Sequence, residues 1–412
     1  MQIFTPLSSL QWTLPWQVVA ATCISFASTL LLTPLACWFA HKMGVVDRPD
    51  GARKLQRTPV ALLGGAAVLA GLGITVFAAA AAGAMDRSLE SIMLVGVGLS
   101  VLCAVGVVDD ACNLRPGWKL LAQIGAAVPM VVAGGSIGEM SLFGLTFPIG
   151  PLGYLAALAW LVACSNAVNL IDGMDGLCST VGLCVAAGVT AVSLLSGADN
   201  TVVCAAALAG SLGGFLIYNL PPAKIYLGDA GSMVIGMTLA LLTMRVAQTE
   251  AGVTHPLVMA SLMAAPIGDM VLAMIRRTLI GNGIFQGDRG HIHHRLLDHG
   301  LTVRKALAII AVICLSTALI AVGTHYWASD LFALGALLFV MVVLVNRRLV
   351  GHYEWSLIRA KMAHRAVNVA PHRHAAPTIL RFNAEEVLTL HKHPSRAATT
   401  AIDAHEERRR AA

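Results

Sequence analysis

Four short polar segments interrupt the apolar sequence of this chain, and one is rich in oxygen-bearing side chains. Positions 166–176 read NAVNLIDGMDG, with Asn or Asp at every third residue. Residues three apart in a helix lie on neighbouring parts of one face. Oxygen donors with no thiol or imidazole among them suit a hard cation such as Mg2+, with Mn2+ as an alternative. The segment therefore predicts a site for a hard cation built from Asn166, Asn169, Asp172 and Asp175.

An Asp pair, Asp109 and Asp110, ends another apolar run, and Asn113 and Lys119 follow it. An ionisable group within apolar sequence is costly and marks a functional hypothesis. Neighbouring positions on a helix point about 100° apart, so the two carboxylates need not serve one site. A solvated pair at a helix end is the alternative, and the pair alone does not exclude it.

Asp229 follows Gly228 at the point where a new apolar run begins. Upstream, Pro221 and Pro222 end the preceding helix just after Asn219. Asp229 is therefore expected at a helix N-terminus, where the backbone favours anions. A helix cap and a metal ligand beside phosphate are both consistent with this position.

The fourth segment, 286–295, reads QGDRGHIHHR. Its three imidazoles and its guanidinium groups predict a cationic surface that binds phosphate oxygens or a sugar. Zinc is a competing hypothesis, but the adjacent His293 and His294 cannot both share one helical face with His291. The residues that carry the prediction are Arg289, His291, His293 and His294.

The apolar sequence around these segments predicts an all-α polytopic membrane protein. Of the 412 residues, 57% are hydrophobic and 12% charged, against about 25% charged in soluble domains. The apolar runs are each close to the ~20 residues that a bilayer core requires. About eleven transmembrane helices are expected, with ten as the alternative count, at 16–40, 61–84, 91–108, 119–136, 150–168, 177–196, 202–220, 232–248, 255–275, 305–326 and 331–346.

The basic residues predict the orientation of these helices. Lys and Arg concentrate in the alternate loops 41–60, 109–119, 220–231 and 276–305, which places those loops in the cytoplasm. The N-terminus is then outside, the C-terminus is inside, and the active site lies at the cytoplasmic face. Residues 1–346 form the membrane domain, and residues 347–412 form a basic, partly disordered cytoplasmic tail. The nine cysteines are scattered singly and predict neither a disulfide framework nor a zinc site.

Taken together and in this order, the four segments resemble the polyprenyl-phosphate N-acetylhexosamine-1-phosphate transferase family. The match runs from about Gly44 to His294, and the stretch RKLQRTPVALLGG at 53–65 is similar to the family's first cytoplasmic loop. The His-Ile-His-His form resembles the N-acetylglucosamine branch. The tail after Asn346 is not covered.

The resemblance implies a role for each candidate residue. Asp229 coordinates Mg2+ and Asn169 joins it. The catalytic group is Asp109, Asp110, Asp172, Asp175 and Lys119. The substrate-binding group is Lys54, Asn113, Asn219, Arg289, His291, His293 and His294.

The implied reaction is transfer of N-acetylhexosamine-1-phosphate, first of all N-acetylglucosamine-1-phosphate, from a UDP-sugar to undecaprenyl phosphate. UMP is released, and the product starts a cell-envelope polysaccharide such as O-antigen at the bacterial inner membrane. Direct attack by the lipid phosphate is favoured over an aspartyl-phosphate intermediate, because a phosphate monoester with a second pKa near ~6 needs no strong base.

Several alternatives stay open at this stage. N-acetylgalactosamine and deoxy-sugars are alternative sugars. A transporter or flippase of lipid-linked sugars and a lipid-binding scaffold are alternative classes. Membrane lipid is an expected partner and nucleic acid is not, and dimers are common in the family.

Overall fold

A computed structural model describes residues 13–49, 58–85, 89–281, 283, 288 and 290–369. The described residues fall into two compact units. One lies within Met1–Val271 and His291–Val343, and the other within Leu272–Gly290 and Leu344–Ala412.

The described chain is mostly helical, as the apolar runs predict. Its helices are α1 (Thr13–Met43), α2 (Gly64–Ala81), α3 (Leu89–Cys112), α4 (Pro116–Val132), α5 (Leu152–Ile171), α6 (Leu177–Ser196), α7 (Asp199–Asn219), α8 (Gly228–Val246), α9 (Pro256–Leu262), α10 (Ala264–Ile280), α11 (Ile292–Asp298), α12 (Val303–Trp327), α13 (Asp330–Asn346) and α14 (His352–Val369). The short strands are β1 (Val46–Asp47), β2 (Val60–Ala61), β3 (Glu139–Leu142), β4 (Leu145–Pro148) and β5 (Val253–Thr254).

Eight of the described helices are long and apolar enough to cross a membrane, and the pair α9–α10 makes nine if it counts as one span. The predicted segments at 119–136 and 331–346 correspond to α4 and α13, which have 17 residues each. The fold class is thus confirmed as an all-α polytopic membrane protein. The count of eleven stays a prediction.

The predicted span at 255–275 is broken into two helices. Helices α9 and α10 meet at an angle of 82°. Met263, the C-cap residue of α9, lies between them. Pro266 lies in the first turn of α10. Since proline has no N–H, it cannot donate to the carbonyl four residues earlier, and the helix breaks there.

The strands are small and lie at the two ends of the helical bundle. β1 pairs with β2 in antiparallel fashion, next to the start of α2. β3 lies between β4 and β5, next to the C-terminal end of α4. The segment before α8 runs beside the β2–α2 connection, where Tyr226 donates to the Ala61 carbonyl at 2.8 Å and Gly65 donates to the Leu227 carbonyl at 3.0 Å. These bonds fix where α8 begins.

Helix α8 is packed against α2, α3 and α5. Its neighbours approach its first turn closely, because glycines face it. A Cβ on Gly65 would overlap the backbone of Gly231, and a Cβ on Gly106 would overlap the backbone of Ala230. Small residues at helix contacts let membrane helices approach in this way. The start of α8 is therefore held by backbone contact on two sides.

Helix α14 lies inside the predicted tail 347–412, of which residues 370–412 are outside the described part of the chain. The division at residue 346 and the partial disorder of the tail stay predictions.

Candidate functional site

Four predicted site residues from four helices meet at the end of the bundle where α3 ends and α8 begins. We call Asp109, Lys119, Asn169 and Asp229 the acidic cluster. The Lys119 ammonium bridges two carboxylates, forming an ion pair with Asp109 and donating to Asp229 Oδ2 at 2.5 Å. Asn169 Nδ2 donates to Asp229 Oδ1 at 2.9 Å.

Asp110 is held at the same place but in a different way. Its Oδ1 accepts from the Asp229 N–H at 2.9 Å, and its Oδ2 accepts from the Ala230 N–H at 3.4 Å. A carboxylate that accepts from the first N–H groups of a helix caps it and interacts favourably with its dipole. Gly228 adopts φ +68°, and a Cβ there would overlap the Asp110 carboxylate. Asp110 thus fixes the backbone that presents Asp229.

The short turn between α3 and α4 brings Asp109 to Lys119. Asp109 is buried and its Oδ1 accepts from the Leu114 N–H at 2.7 Å. Asn113 makes the turn in the left-handed region at φ 52°, a conformation that Asn tolerates better than most residues. Its side chain is exposed. Pro116 then opens α4 at a position where its missing N–H costs nothing.

Both oxygens of Asp109 and both of Asp110 accept hydrogen bonds or ion pairs from the protein. A carboxylate engaged in this way is a weaker base and nucleophile, because each hydrogen bond or ion pair stabilises its charged form. The geometry therefore suits positioning better than proton abstraction or a covalent intermediate.

The expectation that Asn166, Asn169, Asp172 and Asp175 share one helical face is correct only for the two Asn residues. Helix α5 ends at Ile171 and α6 begins after Gly176, which adopts φ +74°. A turn that needs a left-handed residue cannot continue the helix, so Asp172 and Asp175 leave the face.

Asp172 and Asp175 take separate positions beyond α5. Asp172 is half-buried, and burial together with the carboxylates of Asp229 and Asp110 raises its pKa to about 8. Asp175 Oδ2 accepts from the Ala223 N–H at 2.9 Å, which ties this turn to the connection before α8.

Asn219 is buried at the end of α7 with both ends of its amide engaged. Its Oδ1 accepts from Ser179 at 2.9 Å, and its Nδ2 donates to the Ile225 carbonyl at 2.9 Å. These bonds hold the connection that leads to α8. Its predicted contact with the nucleotide stays a prediction.

The three predicted histidines also lie together. The rings of His291 and His293 stack with centroids 5.8 Å apart, and His294 is 4.1 Å from His293. His293 lies against Gly173, because a Cβ there would be 2.9 Å from its Nε2. These three histidines, which we call the His segment, thus adjoin the turn that carries Asp172. Burial, and then the neighbouring His294, lower the pKa of His293 to about 3.

Asp269 is a site residue that the sequence analysis missed. It is buried on α10, where its Oδ2 pairs with His291 Nδ1 at 2.8 Å and its Oδ1 accepts from the Ile292 N–H at 3.1 Å. A signal was available, since Asp269 is a lone carboxylate inside a predicted span. Two other predicted residues, Lys54 and Arg289, lie outside the described residues.

Comparison with known proteins gives this site its context. The family model described as "Glycosyl transferase family 4" matches residues 92–247. A Bacillus subtilis (strain 168) protein named "Probable undecaprenyl-phosphate N-acetylglucosaminyl 1-phosphate transferase" is 30% identical over 72% of this chain and 82% of its own length. The Escherichia coli (strain K12) undecaprenyl-phosphate alpha-N-acetylglucosaminyl 1-phosphate transferase is 30% identical over 73% of this chain and 83% of its own length. The Mycobacterium tuberculosis (strain H37Rv) decaprenyl-phosphate N-acetylglucosaminephosphotransferase is 32% identical over 66% and 73%, respectively.

The chain belongs to glycosyl transferase family 4. It is a glycosyl-1-phosphate transferase that acts on polyprenyl phosphate. The resemblance drawn from the four polar segments is confirmed, and the transporter and scaffold alternatives lose their support.

The acidic cluster of this family 4 transferase contains hard oxygen donors that fit Mg2+. Among the residues that the structure describes, no three His, Cys, Asp or Glu side chains are arranged to hold a metal ion by themselves. Mg2+ does not require such a cage, since it is usually bound by one or two carboxylates together with substrate phosphates and water. Asp229 would supply the carboxylate, and the neighbouring Asn169, whose Nδ2 donates to Asp229 Oδ1, would supply its amide oxygen.

Proposed function

We propose that this transferase moves N-acetylglucosamine-1-phosphate from a UDP-sugar to undecaprenyl phosphate, with release of UMP. The observation that carries the proposal is the acidic cluster, in which Lys119 and Asn169 converge on Asp229 beside Asp109. The names of the relatives support the choice of sugar and of lipid phosphate.

The reaction brings together two anions, so neutralising their charge is the main task of the site. In-line phosphoryl transfer is catalysed largely by positioning and by electrostatic stabilisation of the transferred group. Mg2+, held by Asp229 and Asn169, would polarise phosphoryl oxygens of the donor. Lys119 carries the positive charge on the opposite side of Asp229, and its side chain is partly exposed; in this proposal its ammonium also contacts a phosphate group.

Asp110 affects the backbone geometry of the site, and Asp172 affects its charge. Asp110 holds the first turn of α8, and therefore the Asp229 carboxylate, in one orientation. The pKa of Asp172 is raised to about 8 by burial and by the carboxylates of Asp229 and Asp110, so it carries less negative charge near neutral pH than an ordinary Asp. Both roles agree with direct attack by the lipid phosphate, which is already largely dianionic at pH 7.

The His segment adjoins the Asp172 turn and faces the donor in this proposal. His291, oriented by Asp269, and its neighbours supply donors for the diphosphate and the sugar. The acidic cluster lies at the bundle end where the basic loops 109–119 and 220–231 occur, which favours the cytoplasmic face, an N-terminus outside, and the inner membrane.

A reconstituted assay tests the proposal. The purified chain in nanodiscs receives undecaprenyl phosphate, Mg2+ and UDP-N-acetylglucosamine labelled with 32P in the sugar-bearing phosphate. We expect label in the lipid fraction and UMP in equal amount, and loss of both on addition of EDTA. Label that stays water-soluble, from a folded protein, would overturn the reaction.

The same assay identifies the sugar and the path. Comparing UDP-N-acetylglucosamine with UDP-N-acetylgalactosamine separates the two candidate donors. Denaturing the protein after incubation with labelled donor alone tests for an aspartyl-phosphate. We expect no protein-bound label, and stoichiometric labelling would contradict direct attack.

A further inference from the structure

A second polar layer lies directly beneath the acidic cluster. Asn166 Nδ2 donates to Gln123 Oε1 at 2.7 Å. Gln123 Nε2 donates to Ser165 Oγ at 3.4 Å, and Ser165 Oγ donates to the Met233 carbonyl at 3.1 Å. Gln123 is 1% exposed and Ser165 is fully buried. We call Gln123, Ser165, Asn166 and Met233 the amide layer.

The amide layer joins α4, α5 and α8, three of the four helices that meet in the acidic cluster. On α4, Gln123 is four residues after Lys119. On α5, Asn166 is three residues before Asn169. On α8, Met233 is four residues after Asp229. At 1.5 Å per residue, the layer lies about 6 Å deeper in the bundle than the acidic cluster on α4 and α8, and about 4.5 Å deeper on α5.

Side-chain amides at this depth are costly unless they are paired, and they fix geometry when they are. Apolar packing alone lets a helix slide or rotate slightly against its neighbour. A bond between the amides of Gln123 and Asn166 fixes both the rotation and the height of α4 relative to α5. Ser165 extends this constraint to the backbone of α8.

The consequence falls on Lys119, whose ammonium reaches α8 through its contact with Asp229. Its ammonium lies 2.5 Å from Asp229 Oδ2, and catalytic groups must be held to within roughly 0.5 Å of their productive positions. A shift of α4 by a fraction of a turn would carry Lys119 away from both carboxylates.

We propose that Gln123, acting through Asn166 and Ser165, is a positioning residue for the transfer reaction. It sets the distance between Lys119 and the Asp229–Asn169 pair. The inference rests on the proposed function. It adds the residues that keep Lys119 at the correct distance from Asp229 and Asn169.

The test compares three variants. Gln123→Met keeps the volume and removes the amide. The double variant Gln123→Asn/Asn166→Gln exchanges the two amides and keeps their combined length. Ser211→Ala is the matched control, because Ser211 is fully buried and bonds Thr29 and the Val68 carbonyl, joining α7 to α1 and α2 away from the acidic cluster.

We expect Gln123→Met to lower kcat by about 10- to 100-fold while KM for UDP-N-acetylglucosamine changes by less than about threefold, since a misplaced group mainly affects the transition state. The double variant should recover kcat to within about threefold of the wild type. Ser211→Ala should lose comparable thermal stability and keep kcat within about twofold. Binding of Mn2+ followed by electron paramagnetic resonance gives a readout apart from turnover, and Gln123→Met should change it, because Lys119 and the cation both interact with Asp229.

Two results would overturn the inference alone: full activity and unchanged Mn2+ binding in Gln123→Met, or an equal loss of kcat in Ser211→Ala. The first result would show that the amide layer does not affect the site. The second would show that the loss of any buried hydrogen bond lowers kcat to the same extent. A folded wild type that releases no UMP would instead overturn the proposed function, and this inference with it.

Discussion

Asn169 and Asp229 are 60 positions apart in the chain, and Asn169 Nδ2 lies 2.9 Å from Asp229 Oδ1. One residue is in the last turn of α5 and the other in the first turn of α8. Ser232 accepts from the same amide at 2.8 Å, so the Asn169 side chain has a fixed direction. The carboxylate and amide that the sequence predicts as metal ligands are therefore neighbours.

Asp229→Asn should reduce UMP release by about 100- to 1,000-fold, because in the proposed site the substitution removes the carboxylate that would bind the cation. Folding should be retained, since an amide can still accept from Lys119. The measurement is turnover in nanodiscs together with the melting temperature. Asp298→Asn, at an exposed position on α11, is the control. Turnover near the wild-type value in Asp229→Asn would remove this residue as the metal ligand.

Lys119→Met should destabilise the protein as well as inactivate it. The change leaves the carboxylates of Asp109 and Asp229 close together without a cation between them. We expect a loss of about 2 kcal/mol, less than for a fully buried pair because Lys119 is 29% exposed. The double variant Lys119→Met/Asp109→Asn should be more stable than the single variant and equally inactive. Chemical denaturation of the wild type, the single variant and the double variant measures their free energies of unfolding. A double variant less stable than the single variant would contradict the prediction.

Gly228→Ala should abolish activity through Asp110. An Ala at φ +68° is strained, and its Cβ would push the Asp110 carboxylate away from the start of α8. Gly252→Ala is the matched control, because Gly252 adopts φ +81° with no atom within 4 Å of an added Cβ. It should carry a similar strain of about 1 kcal/mol and keep its turnover. Equal turnover in the two variants would show that contact with Asp110 is unimportant.

Asp269→Asn should weaken donor binding by disturbing His291. The carboxylate accepts from both His291 Nδ1 and the Ile292 N–H, whereas one end of an Asn amide is a donor and would oppose one of them. We expect KM for UDP-N-acetylglucosamine to rise about tenfold. Steady-state kinetics with both substrates would reveal the change. An increase confined to the KM for undecaprenyl phosphate would contradict the assignment.

Acidification should destabilise the protein through His293. Burial lowers the pKa of His293 to about 3, while an unfolded His titrates near ~6.5. Between these values the unfolded chain binds the extra proton, so stability present above pH ~6.5 is lost as the pH falls below it.

The groups that face His293 are His291, His294 and Asp269. From pH 6.5 to 5 the loss should be about 1–2 kcal/mol. His293→Gln should remove this part of the pH dependence, and His299→Gln, at an exposed position, should not. Melting temperatures across the pH range measure it, and parallel curves for wild type and His293→Gln would refute it.

The helices of this protein could be located from the sequence because an apolar run of span length is a local signal. The break between α9 and α10 was not foreseen, although Pro266 was visible, because membrane helices tolerate proline where neighbours satisfy the backbone. The turn after Ile171 was likewise hidden, since Gly173 and Gly176 only weaken a helix until packing decides its end.

The residues of the candidate site could be predicted more completely than the residues that hold them in position. Asp109, Lys119, Asn169 and Asp229 were named because polar groups in apolar sequence are rare and the order of the segments matched a family. Asp269 and Gln123 were not named, because the role of each depends on a partner elsewhere in the chain. These partners are His291 and Asn166, respectively. No spacing within one segment encodes which helices are neighbours.

Helix α8 carries Asp229 and is enclosed by other helices, with nearly all of its residues buried. Among the described helices long enough to cross a membrane, it is also the least apolar. A segment of this kind gains less from contact with lipid than the other spans do, so its placement depends on α2, α3 and α5, which precede it in the chain and pack against it. The helix that supplies Asp229 is thus the one that depends most on completed assembly. An incompletely inserted chain would consequently lack Asp229 at its proper position and remain inactive.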